Sequence, residues 1–164
     1  AGRGFREGAF RLERGHLGGR LRRAAPALAG LPAALMAGAS LVHPLLGRRR
    51  AVMLGKLLAT TCHRIPERCI TLPWGVSGLC ARCTAFWTGM ALLAAVPVAR
   101  LRIGFTASVL MLVPMIADGF MQYAGLYEST LLLRTSTGFL AGAGFSVLLL
   151  SAAGRGDLSH ALTG

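Results

Sequence analysis

Acidic residues are scarce in this chain of 164 residues, with six Asp and Glu against eighteen Lys and Arg, for a net charge of +12. Charged residues of both signs reach only 15%, too few to coat an average soluble domain. A charge of this size first suggests nucleic acid as a partner. No base-reading motif is present, however, and the charges flank apolar runs instead of lining one polar face. Anionic lipid is the better match, and nucleic-acid binding is not expected. No repeat of a solenoid kind occurs. Cysteine is absent outside residues 62–83, which excludes the dispersed disulfide framework of a small secreted scaffold.

What is present is apolar residue, at 54%, and glycine, at 22 positions. The length suits one domain, and that much glycine in so apolar a chain suits helices in close contact within lipid. Residues 1–23 carry seven arginines and six glycines. Phe5, Phe10, Leu17 and Leu21 form a weak apolar stripe that the glycines oppose as a helix, so a basic arm at phospholipid headgroups is expected. Residues 24–46 carry no formal charge and are long enough to cross about 30 Å of hydrocarbon. Gly30, Ala34 and Gly38 recur every four residues and predict a smooth packing face. A basic leader before an apolar run also describes a signal peptide with a cut near 37–40, but the run continues beyond that point. His43, before Pro44, reads as a solvated or backbone-bonded side chain.

After Arg48-Arg49-Arg50, residues 51–61 are apolar apart from Lys56 and too short to span, which predicts an interfacial helix. Further spans are expected at about 83–101, 105–127 and 132–153, with a tail at 155–164. The predicted fold is therefore all-α: a four-helix transmembrane bundle over residues 24–154, with a Cys/His loop at 62–83 between the first two spans. Trp74 suits an interfacial anchor in that loop, and Arg100 and Arg102 can snorkel at the far end of the second span. Basic residues are nearly balanced between the two sides. The arginines beside the first span favour a cytoplasmic N-terminus in a plasma membrane.

Within the third span, Asp118 and Gln122 lie four residues apart on one helix face. A carboxylate at that depth costs about 2.5–3.5 kcal/mol and needs a partner or a wet cavity. Glu128 and Arg134 follow at the turn into the fourth span, which carries Gly138-x-x-x-Gly142, a close-packing pattern. Pairing of Asp118 with Gln122 and Arg134 would tie the third and fourth helices together. Met111, Met115 and Met121 read as packing residues. The cysteine loop joins spans one and two, and the Glu128–Arg134 turn joins spans three and four. Both therefore fall on one side of the membrane, where they predict a single composite site.

The loop offers Cys62, His63, Cys69, Cys80 and Cys83. Zinc takes four Cys or His ligands in a tetrahedron, and Cys80 and Cys83 form a chelating Cys-x-x-Cys pair. Cys62 or His63, with Cys69, would complete the set, while Arg64, Arg68 and Arg82 offset thiolate charge. Structural zinc is the leading expectation. Another transition metal would also suit these ligands, and a metal-dependent membrane hydrolase would keep an open position on the ion, with Glu67, Glu128 or Asp118 as base. Thiol–disulfide exchange by Cys62/Cys69 and Cys80/Cys83 is the alternative, favoured by arginines and a helix N-terminus that stabilise thiolates. Its arrangement is similar to that of quinone-linked disulfide-generating membrane enzymes.

Two motifs carry a family resemblance. They are Cys62-His63-Arg64-Ile65-Pro66-Glu67-Arg68 and Cys80-Ala81-Arg82-Cys83-Thr84, the second followed by Phe86, Trp87 and Gly89. Asp118-Gly119, Gln122, Gly125, Glu128-Ser129, Arg134 and Thr137-Gly138 follow in order. Over about residues 62–142 the chain resembles the domain of unknown function 2085 family of small prokaryotic membrane proteins. Cys69 stands where the family commonly has serine, and Ala85 where it commonly has glycine. The resemblance therefore implies Cys62, His63, Cys80 and Cys83 as the metal set, with Cys69 as the alternative ligand. It implies no particular activity. The expected role is a small subunit whose glycine faces meet a membrane-protein partner or a second copy of itself.

Overall fold

The structure is a computed structural model and describes residues 28, 30–96 and 103–155. The expected basic arm, the Arg100/Arg102 pair and the tail beyond residue 155 lie outside the described residues. The fold is mostly helical, as expected, but it includes a small sheet that the all-α reading omitted. Helix α1 covers 30–42 and runs into a 3-10 turn at His43–Leu45. Then come α2 (Arg48–Leu58), a 3-10 turn at Pro66–Arg68, β1 (Cys69–Leu72), β2 (Gly75–Cys80) and α3 (Ala81–Ala95). The chain ends with α4 (Phe105–Leu110), α5 (Val113–Tyr123) and α6 (Leu131–Arg155).

Two helical stretches, Phe105–Tyr123 and Leu131–Ala152, are long and apolar enough to cross a membrane. The apolar helix Gly30–Leu45 is shorter, and the 15 residues of α3 rise only about 22 Å. Among the described residues, two of the four expected spans therefore reach full length. The third expected span is also broken, at 111–112 between α4 and α5. Pro114 has no N–H to give the Leu110 carbonyl, and its ring crowds that turn.

Helix α6 is the central packing element, touching α3, α4 and α5. A Cβ on Gly138 would overlap the backbone of Arg82, one on Gly142 the Phe86 carbonyl, and one on Gly89 the Phe139 carbonyl. These contacts advance together along both helices, so α3 and α6 run parallel with almost no side chain between them. Gly144 meets the Ser108 carbonyl and Met111 of α4 in the same way. Gly142→Ala should therefore force the two backbones apart, costing about 1–3 kcal/mol. Gly38→Ala is expected to be tolerated, since nothing lies within 4 Å of its added Cβ. Thermal unfolding of the two variants in detergent makes the comparison.

The α1 face differs from the one the four-residue repeat predicted. Gly30 meets Ala94 of α3, and the buried positions that follow are Ala33, Ala37 and Ser40, while Ala34 is exposed. The burial follows a drifting 3.6-residue period, not a strict four. Ala33, Met90 and Ala94 form one small core, and Phe86 and Trp87 pack against it. At the end of that face, the Ser40 hydroxyl contacts Thr84 Oγ1 at 2.9 Å and accepts the Leu79 N–H at 3.0 Å. One buried side chain thus joins α1, β2 and α3, and it satisfies a backbone donor that has no water to turn to.

The hairpin is legible once its turn is located. Pro73 and Trp74 form the two-residue tip between the paired Leu72 and Gly75, and Gly75 takes φ 134° against Pro44. The register slips between Cys69 and Thr71. There the Ile70 N–H bonds Ser77 Oγ at 2.9 Å, and Ser77 Oγ donates to the Leu79 carbonyl at 2.8 Å. Trp74 Nε1 donates to the Leu41 carbonyl at 3.2 Å, so the residue expected at the membrane interface ties the hairpin tip to the end of α1.

Candidate metal centre

The hairpin and the start of α3 carry the cysteines toward one point. The Sγ atoms of Cys62, Cys80 and Cys83 all lie within 4.8 Å of one another. They sit on a second core formed by Leu58 and Leu79, with Met36, Leu54 and Trp87 packed against it. Cys80 is the N-cap residue of α3, and Cys83 follows one turn later, so both thiols share a face at the positive end of the helix dipole. Cys62 reaches them from the segment after α2. Its sulfur accepts the Cys80 N–H at 3.3 Å and the Arg64 N–H at 3.4 Å.

Those contacts decide which thiol ionises first. Hydrogen bonds from the Cys80 and Cys83 side chains, with the two backbone donors, hold the Cys62 thiol far below its usual range. Sharing with Cys62 pushes Cys80 upward. Cys69 faces Cys80 across the hairpin but donates to the Ile65 carbonyl at 3.3 Å. Burial pushes it up to about 11, so it stays a neutral thiol at physiological pH. All four cysteines are free, and Cys62 is grouped with Cys80 and Cys83, not with Cys69.

His63 is exposed and outside the three-thiol group. Glu67 and Glu128 are exposed as well, and among the described residues no carboxylate joins the three sulfurs. A role that residue-type reasoning assigned only to charge belongs instead to Arg64. It is the one non-glycine among the described residues with positive φ, at 51°, a conformation that costs about 1–3 kcal/mol. That turn aims its N–H at Cys62. Its side chain runs back to the Gly78 carbonyl (Nε, 2.8 Å) and His43 Nε2 (3.1 Å), over Gly55 of α2.

The partner of Asp118 also differs from expectation. Arg82, inside the Cys-x-x-Cys pair, forms the ion pair with Asp118 and reaches Gln122 Oε1 at 3.4 Å. The Tyr127 hydroxyl donates to the other Asp118 oxygen. Arg134, the expected partner, is 7% exposed, and its Nε has no acceptor. Arg82 leaves the first turn of α3 on a different face from the two thiols, so one tetrapeptide serves both the sulfur group and the polar pair on α5. The sequence signal was a lone basic residue at the mouth of an apolar helix, aligned with a buried carboxylate on another.

The family model of predicted membrane proteins grouped as DUF2085 matches residues 62–148, which contain both cysteine motifs and all of the Arg82–Asp118 contact. The chain belongs to this family. An uncharacterized protein of Methanothermobacter thermautotrophicus is 37% identical over 93 residues, covering 53% of this chain and 82% of the relative. No solved structure matches. Membership in DUF2085 agrees with the exposed apolar side chains of the long helices, among them Leu110, Ile116, Phe120 and Leu132, a surface that lipid rather than water would cover. The three-sulfur group is of a size that could hold a metal ion.

Proposed function

We propose that this DUF2085 protein is a small multi-pass membrane subunit whose extramembrane hairpin is held to the helix bundle by a zinc ion on Cys62, Cys80 and Cys83. The observation that carries the reading is the convergence of three sulfurs from two separated segments. In a zinc tetrahedron with Zn–S about 2.3 Å, ligand sulfurs stand about 3.8 Å apart, and these three are already within 4.8 Å of one another. Two backbone N–H groups aimed at Cys62 offset thiolate charge, as does the α3 N-terminus. The fourth ligand is assigned to His63, adjacent to Cys62 and free of other contacts, with Cys69 as the alternative. A structural role is favoured over catalysis because Asp118 is engaged by Arg82 and Tyr127, while Glu67 and Glu128 stand apart from the sulfurs.

For the bundle we assign four spans with the N-terminus in the cytoplasm of a prokaryotic cell. The parallel course of α3 and α6 supports the span count, since second and fourth spans of such a bundle run the same way, and the orientation rests on the arginines beside the first span. The basic arm would lie on anionic lipid, and the subunit's partner would be another membrane protein or a second copy.

Elemental analysis of the full chain purified in mild detergent, with a count of thiols before and after reduction, tests the reading. One zinc per chain with every thiol reduced is expected. Chains without metal and with oxidised cysteine pairs would establish thiol–disulfide exchange instead. His63→Ala should weaken zinc by more than about 100-fold, since losing even an outer supporting contact costs about 10–100-fold. Cys69→Ser should leave it nearly unchanged. The reverse result would transfer the fourth position to Cys69.

A further inference from the structure

Away from the sulfurs, α2 presents a groove that the metal reading leaves unexplained. Its volume is about 420 Å³, and it opens to the surface between α2 and the segment following α1. Arg48, Ala51, Val52, Gly55, Lys56 and Ala59 line one side, and His43 and Arg64 the other. Counted from Arg48, the lining residues of α2 and its C-cap Ala59 stand three, four, seven, eight and eleven positions on, so they form one continuous face. Ala51, Val52 and Ala59 make the lining apolar, and Gly55 leaves room for the Arg64 guanidinium to lie against the helix backbone. Basic groups stand at the rim, and among the described residues no acidic side chain lines the groove. Arg48 and Lys56 are exposed, and neither joins the Arg82–Asp118 ion pair.

Three permanent cations around an apolar trough attract a ligand with an anionic head and a hydrocarbon body. Val52, Met53 and Leu57 on the same helix are exposed apolar side chains, which places the groove where an interfacial helix meets acyl chains. We propose that this groove is a binding site for an anionic phospholipid. The phosphate sits among Arg48, Lys56 and Arg64, and the glycerol and upper acyl chain lie along Ala51, Val52 and Ala59. Arg64 also gives its backbone N–H to Cys62, so a headgroup held here would brace the segment that delivers Cys62 to the sulfur group. The site itself does not depend on metal.

The test uses the full chain in detergent, titrated with short-chain phosphatidylglycerol, phosphatidylcholine or inorganic phosphate and read by native mass spectrometry. Phosphatidylglycerol should bind at one copy per chain and at least about tenfold more tightly than phosphatidylcholine. Each basic residue near an anionic surface contributes roughly a fivefold effect. The Arg48→Ala/Lys56→Ala double variant should therefore lose about 30-fold, with its metal content unchanged. Arg49→Ala/Arg50→Ala removes the same charge from the same helix but outside the groove, and should lose less than about threefold. Equal binding of the two lipids would overturn the proposal, as would an equal loss in the two double variants. Displacement of phosphatidylglycerol by inorganic phosphate at similar concentration would also overturn it, showing a free-phosphate site in place of a lipid site.

Discussion

With the proposed zinc on three sulfurs, Cys62→Ala should abolish metal binding and loosen the whole loop from residue 62 to residue 80. Structural zinc in small domains contributes an apparent 10–16 kcal/mol or so to folding, more than the hairpin's own contacts supply. A two-stranded sheet is marginal alone in water. Here it rests on the small Leu58/Leu79 core, the Ser40 bond and the Trp74 anchor. The variant also leaves the Cys80 and Arg64 N–H groups without the sulfur they point to. Elemental analysis should show less than one-tenth of the wild-type metal, and hydrogen exchange should show faster opening of β1 and β2 while α6 stays protected.

Acid should do the same to the unaltered protein. Metal binding requires deprotonated thiols and so releases protons. The stabilisation is therefore present at neutral pH and is lost as pH falls and protons compete for the sulfurs. A strong chelator at neutral pH should match the acid result. Full metal retention in Cys62→Ala would refute the three-sulfur centre.

The second large effect is expected at Arg82. Arg82→Met should cost about 3–5 kcal/mol, because it leaves a buried carboxylate without its counter-charge. Asp118 is 4% exposed and Arg82 17%, so water can replace little of what is lost. Asp118→Asn should cost less, since the amide still accepts from Tyr127 and the guanidinium can turn outward. Combining Arg82→Met with Asp118→Leu should recover much of the loss, since removing both charges avoids the penalty of stranding one. Unfolding in detergent for the two single variants and the double variant gives the coupling directly. Zinc should remain bound in all three, because Arg82 leaves the helix on a different face from Cys80 and Cys83. Loss of zinc in Arg82→Met would mean that the ion pair positions the thiols.

The sulfur centre and the ion pair show where sequence reasoning reached and where it stopped. The crowding of all four cysteines and the Cys-x-x-Cys spacing were visible in the sequence, while the demotion of Cys69 came only from the family resemblance. The glycines that let α3 and α6 touch were visible too, because a small residue every fourth position marks one helix face whatever it meets. Linear order also led to the expectation that the cysteine loop and the α5–α6 turn meet, and the Arg82–Asp118 pair brings the start of α3 to α5.

The sequence by itself determined the apolar, basic character of the chain, its membrane family, the cysteine cluster and the close-packing glycines. These depend on composition and local period, which a chain carries before it folds. Only the tertiary structure decided that Cys62 joins Cys80 and Cys83 while Cys69 turns to Ile65. It likewise decided that Arg82 and not Arg134 answers Asp118, and that the loop is a hairpin pinned by Ser40 and Trp74. Each of these is a choice among partners of similar chemistry distant in sequence. The close seating of α3 on α6, with glycines removing the space between them, accompanies an Asp118 pairing to Arg82 at the start of α3, while Arg134 on α6 is buried apart from that pair.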